Sequence, residues 1–293
     1  MRPSLVYLAI FFGVLCMSTS SIIIKYIAAP AMIIAFYRVV FTSLASAGGQ
    51  GRKLSSSLAQ ISKIDYLYIM GAGFFLALHF GFWITSLSYT SISSSVLFTN
   101  LQVIFVLFFS IFILREKLNL LVSVGIIIAL SGCVVIAHGD LQYGKLMGDM
   151  LALASGLFVA IYFIIGRDVR KRVDALTYTS ITSLTAAVVL FFACVAFGLE
   201  FTGYRSLDWM LFILLALGPG LGGHAILNWA LKYVKAPIVA VSILGESVGA
   251  SLLAYIIIKE HLLWYQILGG ILIISGIYMA AVFDGKRGRA SEG

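Results

Sequence analysis

The 293-residue chain is 61% hydrophobic and only 11% charged, with a mean hydropathy of +1.06. A water-soluble domain keeps roughly a quarter of its residues charged, so this composition excludes a soluble fold and asks for a bilayer as solvent. The net charge of +8 does not indicate a nucleic-acid partner, because the basic residues sit in short gaps between apolar runs rather than on one polar face.

Windows of about 20 apolar residues predict ten membrane-crossing helices, at 4–26, 31–47, 66–88, 92–113, 119–138, 148–166, 175–197, 209–231, 237–258 and 262–283. The first run is expected to be a span rather than a cleaved leader, since Leu5 to Ile24 is long enough to cross and no small-x-small cleavage site precedes a soluble domain. One face of its Ser18-Thr19-Ser20-Ser21 run can line a cavity, with Ser18 as the candidate, the other hydroxyls bonding back to their own helix. Lys25, near the far end, reaches the headgroups or serves as a gate. The second window is the shortest and is expected to begin ahead of Pro30. It carries Arg38 at membrane depth, where a guanidinium must snorkel, bond carbonyls or pair with a buried acid.

In the third window His79 and Trp83 are four residues apart and share a face. Asn100 and Gln102 in the fourth are two apart, so at most one of them points at a ligand. Tyr162 in the sixth supplies an aromatic wall or packs. The eighth contains Gly218-Pro219-Gly220-Leu221-Gly222-Gly223, which is not a phosphate loop because no strand precedes it. There Gly218, Pro219 and Gly222 are expected either to bend the helix as a hinge or to pack helices closely. His224 and Asn228, also four apart, follow with Trp229. Glu246 lies near the middle of the ninth window, flanked by Gly245 and Gly249. Such a carboxylate binds a cation, carries a proton or partners Arg38, and the two histidines suit proton-linked work or interhelical hydrogen bonding.

Cys16, Cys133 and Cys194 each fall inside an apolar window, so neither a disulfide framework nor a metal site is expected, and no cofactor motif is present. Lysine and arginine in the short loops set the orientation. Of the twenty, fifteen fall on one set of loops: Arg2, Arg52, Lys53, Lys63, Arg115, Lys117, Arg167, Arg170, Lys171, Arg172, Lys232, Lys235, Lys286, Arg287 and Arg289. Lys25, Lys145, Arg205 and Lys259 fall on the other set, and only Arg38 lies within a span. Both termini are therefore expected in the cytoplasm, with the protein in the plasma (inner) membrane.

A shift of 144 positions brings the two halves into register. Ser86-Leu87-Ser88-Tyr89 meets Ala230-Leu231-Lys232-Tyr233, Arg115-Glu116-Lys117-Leu118 meets Lys259-Glu260-His261-Leu262, Gly125 meets Gly269, and Ser131-Gly132 meets Ser275-Gly276. Gln102 becomes the counterpart of Glu246, and His79 nearly that of His224. The chain thus divides into repeats 1–143 and 144–293 of five helices each. An odd number of crossings inserts the second repeat upside down, the arrangement of carriers that expose a midplane site to one side and then the other.

These features, with Phe36-Tyr37-Arg38 in the second span and Ile243-Leu244-Gly245-Glu246 in the ninth, resemble the drug/metabolite transporter superfamily, specifically its ten-helix EamA type. Departures are Val103 and Ser247, where that family often has proline, and Met17-Ser18, where it often has Trp-Gly. The resemblance implies an all-α basket of two inverted five-helix repeats around a central cavity lined by helices one, three, four, six, eight and nine. It places the fifth and tenth helices at the periphery, commonly at a homodimer contact. Relatives carry amino acids, purines, quaternary amines, sugar phosphates or adenosylmethionine.

The expected function is secondary active transport of small polar metabolites, amino acids or related amines first, by export or exchange with proton coupling through Glu246 and the histidines. No nucleotide-binding loop is present to supply energy, and the scattered His, Glu and Asn form no HExxH arrangement to suggest an enzyme. A passive channel or sensor, or a carrier of nucleoside-type cargo such as adenosylmethionine, is the alternative. Sugar phosphates fit less well because only Arg38 and Lys25 bring positive charge to membrane depth.

Overall fold

The computed structural model describes residues 3–90, 92–116, 119–140, 146–259 and 263–290, and every regular element among them is helical. The first span is α1 (Pro3–Ser18) continued by α2 (Ser20–Lys25), the second α3 (Ala31–Gln50). After a short surface helix, α4 (Lys53–Ala59), comes the third, α5 (Lys63–Ser86). The fourth is split into α6 (Ile92–Asn100) and α7 (Gln102–Phe112). The fifth, sixth and seventh are α8 (Leu120–Asp140), α9 (Leu146–Val169) and α10 (Ala175–Ala196). In the eighth, α11 (Ser206–Leu215) and α12 (Ile226–Ala230) are joined by wide π-helical turns over Ala216–Ala225. The ninth is α13 (Ala236–Ile243) and α14 (Gly245–Leu253), ending in π turns at Ala254–Ile258, and the tenth is α15 (Trp264–Ala290). Eight of these spans are long and apolar enough to cross a bilayer, and the fourth and fifth contribute the shorter apolar helices Phe98–Phe112 and Leu120–Ile136.

Local chemistry moves several expected boundaries. Pro30 stands in an extended conformation (φ −57°, ψ 146°), so the second span starts after it, at Ala31, not before it. That span runs to Gln50 and is not the shortest. The third begins earlier than expected because Ser62 caps it, accepting from the Asp65 amide at 3.0 Å and donating to the Asp65 carboxylate at 2.8 Å. Breaks at Thr19, Leu101 and Leu244 were not expected. Conversely, the Gly-Pro run does not break the eighth span; the helix widens and continues. Arg2, Lys117, Leu118, Lys145, Glu260, His261 and Leu262 lie outside the described residues, as do the side chains of Lys286, Arg287 and Arg289.

The duplication is visible in the backbone. At the end of α5 the amides of Ser88, Tyr89 and Thr90 bond the carbonyls of Thr85, Ser86 and Ser86. At the end of α12 the amides of Lys232, Tyr233 and Val234 bond those of Trp229, Ala230 and Ala230, the same pattern 144 residues on. Among the described residues only Arg115 (φ 53°) and Lys259 (φ 62°) combine a side chain with a left-handed backbone, and they too are repeat counterparts. The capping residues Ser62 and Arg205, like Asp65 and Asp208, stand 143 apart, whereas the helix ends Ser86 and Ala230 stand 144 apart. The extra residue is taken up by the π turns between them, each of which accommodates more residues than an α turn.

Packing follows the same symmetry. Between membrane helices lipid removes the usual hydrophobic drive, and small residues permit close approach. On α8 and α15, a Cβ on Gly125 would come within 2.8 Å of the Gly276 carbonyl, and one on Gly132 within 2.5 Å of the Gly269 carbonyl. As numbers rise along α8 they fall along α15, so the two helices are antiparallel, and exchanging the repeats maps each contact onto the other. The third span likewise packs on the sixth as the eighth does on the first, and the fourth on the sixth as the ninth does on the first. The chain is therefore two interlocked five-helix repeats of opposite orientation. Tyr7 donating to Asp284 at 3.3 Å joins the start of α1 to the end of α15, so both termini share one end of the bundle.

Candidate functional site

Seven helices converge on a buried pocket near mid-bundle. Its wall is Met17 and Ser20 from the first span, Arg38 from the second, His79, Phe80 and Trp83 from the third, Val96, Thr99, Asn100 and Gln102 from the fourth, Val159 and Phe163 from the sixth, His224 from the eighth, and Ile243 and Glu246 from the ninth. The expected six helices are all there; the second joins them because Arg38 turns inward. The free volume is only about 30 Å³, room for one or two waters.

Arg38 is 2% exposed and its Nη1 donates to Ser20 Oγ at 2.9 Å. Its guanidinium lies 4.3 Å from the centre of the Phe80 ring and 6.0 Å from that of Trp83, a cation–π seat that partly replaces water. No direct ion pair to Glu246 exists among the described residues. The two opposite charges instead share one small pocket without touching, and Glu246 has no hydrogen-bond partner among the described residues.

His79 Nδ1 lies 2.8 Å from Ser155 Oγ and 3.2 Å from the Ser155 carbonyl, and Ser155 Oγ donates to the His79 carbonyl at 3.1 Å. A carbonyl only accepts, so Nδ1 carries the proton and Nε2 is left as an acceptor. The ring lies parallel to Trp83 (2° between planes) and 6.2 Å from His224, which stands edge-on to Phe80. Asn100 Nδ2 donates to Ser247 Oγ at 2.6 Å. This bond ties the break at Leu101 to the break at Leu244, directly beside Gln102 and Glu246.

Of the residues singled out in the sequence, His79, Trp83, Asn100, Gln102, His224, Glu246 and Arg38 meet in this pocket. Asn100 and Gln102 both reach it, because the break at Leu101 removes the regular helical phase that would have separated them. Ser18 does not line it: its hydroxyl bonds back to the Val14 carbonyl at 2.9 Å beneath Gly249, and Ser20 takes the place on the wall. Tyr162 and Asn228 are fully buried and bonded to each other away from the wall. Trp229 packs on Tyr233, with ring centres 4.9 Å apart. Lys25 lines a separate vestibule. Gly218 packs against nothing within 4 Å, whereas Gly222 meets Cys16 and Gly223 meets Met17. Sequence reading missed Ser20, Phe80, Phe163 and Ser155; Phe80 is the repeat counterpart of His224, a signal that could have found it.

The vestibule holds about 450 Å³ between the ends of the first and third spans and the start of the second, lined by Ser21, Ile24, Lys25, Ile34, Ile84 and Leu87 among others. Ser21 and Ile84 adjoin the pocket residues Ser20 and Trp83 in sequence, so vestibule and pocket abut. At the opposite end, Arg167 pairs with Glu116 at 2.8 Å, Arg172 with Asp65 at 2.7 Å, and Lys235 with Asp284 at 3.9 Å. Hydrogen bonds from Arg172 to Asp65, and then to Asp168, push the guanidinium's pKa above its ordinary value.

The EamA-like transporter family matches residues 4–138 and 146–282. The chain belongs to that family. An uncharacterized transporter of Archaeoglobus fulgidus is 23% identical over 276 residues, covering 93% of this chain and 94% of the relative. One of Bacillus subtilis is 24% identical over 237 residues, covering 79% and 75%. A crystal structure at 20% identity superposes on 97% of this chain and 99% of its own with a TM-score of 0.77, sharing the fold. The protein is a multi-pass membrane transporter.

Proposed function

We propose that the pocket binds small zwitterions, amino acids and related amines first, and carries them by alternating access, with Arg38 taking the carboxylate and Glu246 the ammonium. One observation carries the reading. Arg38 Nε, Gln102 Oε1 and His224 Nδ1 are buried without partners among the described residues, and the Glu246 carboxylate faces the same pocket unbonded. Each buried polar group left unmatched costs about 1–3 kcal/mol, and more if charged. A fold that aims a cation, an anion, a donor and an acceptor at one point is built for a ligand bearing both charges. At about 30 Å³ the pocket is too small for an amino acid, so binding requires the spans to part, and the paired breaks at Leu101 and Leu244 are the places where the fourth and ninth can bend.

The reading includes units 1–143 and 144–293 as the two moving halves, and both termini in the cytoplasm at the plasma membrane, as loop charge favours. Export or exchange follows the family resemblance, as does a homodimer through the outer faces of α8 and α15. Proton coupling is assigned to Glu246 and the histidines. Nucleoside-type cargo is the second reading, favoured by the parallel His79 and Trp83 rings, on which a flat base would stack. Purified protein in liposomes, offered labelled amino acids, amines and nucleosides with and without a pH gradient, tests the cargo and the coupling. Uptake of amino acids that responds to the gradient is expected; counterflow indifferent to the gradient removes the proton role, and uptake of nucleosides alone overturns the zwitterion assignment.

A further inference from the structure

A second cluster of buried polar groups lies just beyond the pocket, toward the end that carries the termini. His224 stands on the pocket wall, and Asn228 follows it four residues on, one helical turn further. Along α9, Phe163 is on the wall and Arg170 stands two turns beyond, roughly 10 Å at 1.5 Å per residue. Asn228 Nδ2 donates to the Tyr162 hydroxyl and, at 3.4 Å, to Thr179 Oγ1, while Arg170 Nε donates to the Asn228 carbonyl at 3.1 Å.

Two atoms of complementary chemistry are left over. Arg170 Nη1, a donor, and Asn228 Oδ1, an acceptor, have no partner among the described residues, although Arg170 is 2% and Asn228 0% exposed. Capping the last carbonyls of α12 accounts for Arg170 Nε, and for Arg167, which donates to the Leu231 carbonyl at 2.5 Å. It does not account for Nη1 or for the amide oxygen. The repeat counterparts of Tyr162, Arg170, Thr179 and Asn228 are Ser18, Tyr26, Ala35 and Ile84, so nothing equivalent is built at the opposite end.

We propose that Tyr162, Arg170, Thr179 and Asn228 form a second station for zwitterionic cargo, occupied between the pocket and the exit at the end of the termini. This rests on the zwitterion reading of the pocket. Arg170 Nη1 takes the carboxylate, and the Asn228 amide oxygen with the two hydroxyls takes the ammonium. The station repeats the pairing of Arg38 with Glu246 but uses a neutral acceptor, so cargo is held less tightly and released, as conduction through successive sites requires. It exists on one side only, so its removal acts on one face only.

Thr179→Val and Tyr162→Phe each remove one hydroxyl and leave the Arg170 bonds in place. Reconstituted in liposomes of known orientation, both variants and the wild type are assayed with labelled L-alanine, L-leucine, L-phenylalanine and L-lysine for the half-saturating concentration at each face. The expected result is a rise of about three- to tenfold, the loss of one buried hydrogen bond, at the face of the termini, with no change at the other. Arg170→Lys, which keeps the charge but loses the planar fork, shifts the same face further; if it fails to fold, the hydroxyl variants decide. Equal shifts at both faces, or none at either, overturn the station and leave the pocket reading intact. A wild type that carries none of the four amino acids removes both.

Discussion

The two ends of the bundle are built from equivalent residues and closed by different means. Asp65 and Asp208 occupy the same place in the two repeats, the first turn of the third and eighth spans. Asp65 is answered by the side chain of Arg172, and Asp208 by the backbone amide of Ala28 at 3.1 Å, residue 28 being the repeat counterpart of residue 172. Asp208 also takes Arg205 from its own helix. At the end of the termini, Glu116 and Arg167 add a tie between the two repeats, and Lys235 and Asp284 one between the ninth and tenth spans. At the Lys25 end there is instead a vestibule of about 450 Å³. A shared scaffold thus acquires direction from a few side chains: the end of the termini is tied by ion pairs, and the other end holds the vestibule.

The largest effect separates chemistry from access. Glu246→Gln removes the only acid among the described residues of the pocket wall and leaves the ties at both ends untouched. Amino-acid uptake in liposomes is expected to fall about a hundredfold, the equivalent of losing a buried charge-assisted contact of roughly 3 kcal/mol, while a cysteine placed on the vestibule wall by Ser21→Cys stays as reactive to thiol reagents as it is beside the native Glu246. Undiminished uptake would end the role assigned to Glu246.

A smaller effect comes from weakening the tied end. Glu116→Gln removes the partner of Arg167, whose side chains are 12% and 16% exposed. The pair is only partly screened, and its loss biases the two states by about 1–2 kcal/mol, five- to thirtyfold in their ratio. With the native cysteines replaced by alanine and Thr99→Cys placed on the pocket wall, labelling from the face of the termini should rise by that factor and labelling from the Lys25 face should fall. Asp208→Asn, made in the same background, should have the opposite and weaker effect.

How much of this could be read from the residues depends on the kind of interaction. Hydropathy located ten spans, because a bilayer imposes length and apolarity on every crossing, and the charged turns and paired glycines revealed the repeat. Seven residues that meet in the pocket were legible as polar groups at membrane depth, where each needs a partner. Tyr162, Asn228 and Ser18 were equally polar and went elsewhere, because which face a helix turns inward is set by packing partners far off in sequence. The breaks at Thr19 and Leu101 left no proline or glycine signal beside them, the single Gly245 after Leu244 was not read as a break, and the Gly-Pro run that did signal a break produced only wider turns. Ser155, the residue that orients His79, carries no mark at all.

Between the two ends lies the seam of α8 and α15, and Gly132→Ala tests whether the ends are coupled through it. The added carbon would stand 2.5 Å from the Gly269 carbonyl, so the helices must separate, at a cost of about 1–3 kcal/mol. A lowered unfolding temperature in detergent is expected, with the substrate half-saturation at the two faces changed equally. An effect confined to one face would make the seam part of one gate.

The smallest expected effect is also the cleanest comparison of the ends, because Arg115 and Lys259 adopt the same left-handed backbone at opposite faces, φ 53° and 62°. A side chain in that region costs about 1 kcal/mol that glycine avoids, less the entropy glycine loses on folding. Arg115→Gly and Lys259→Gly should therefore each raise the unfolding temperature slightly, and by the same amount if the turns serve only to reverse the chain. If Arg115→Gly instead destabilises while Lys259→Gly does not, the Arg115 backbone is what aims neighbouring Glu116 at Arg167, and the strain at the tied end is kept because it holds the tie between the repeats.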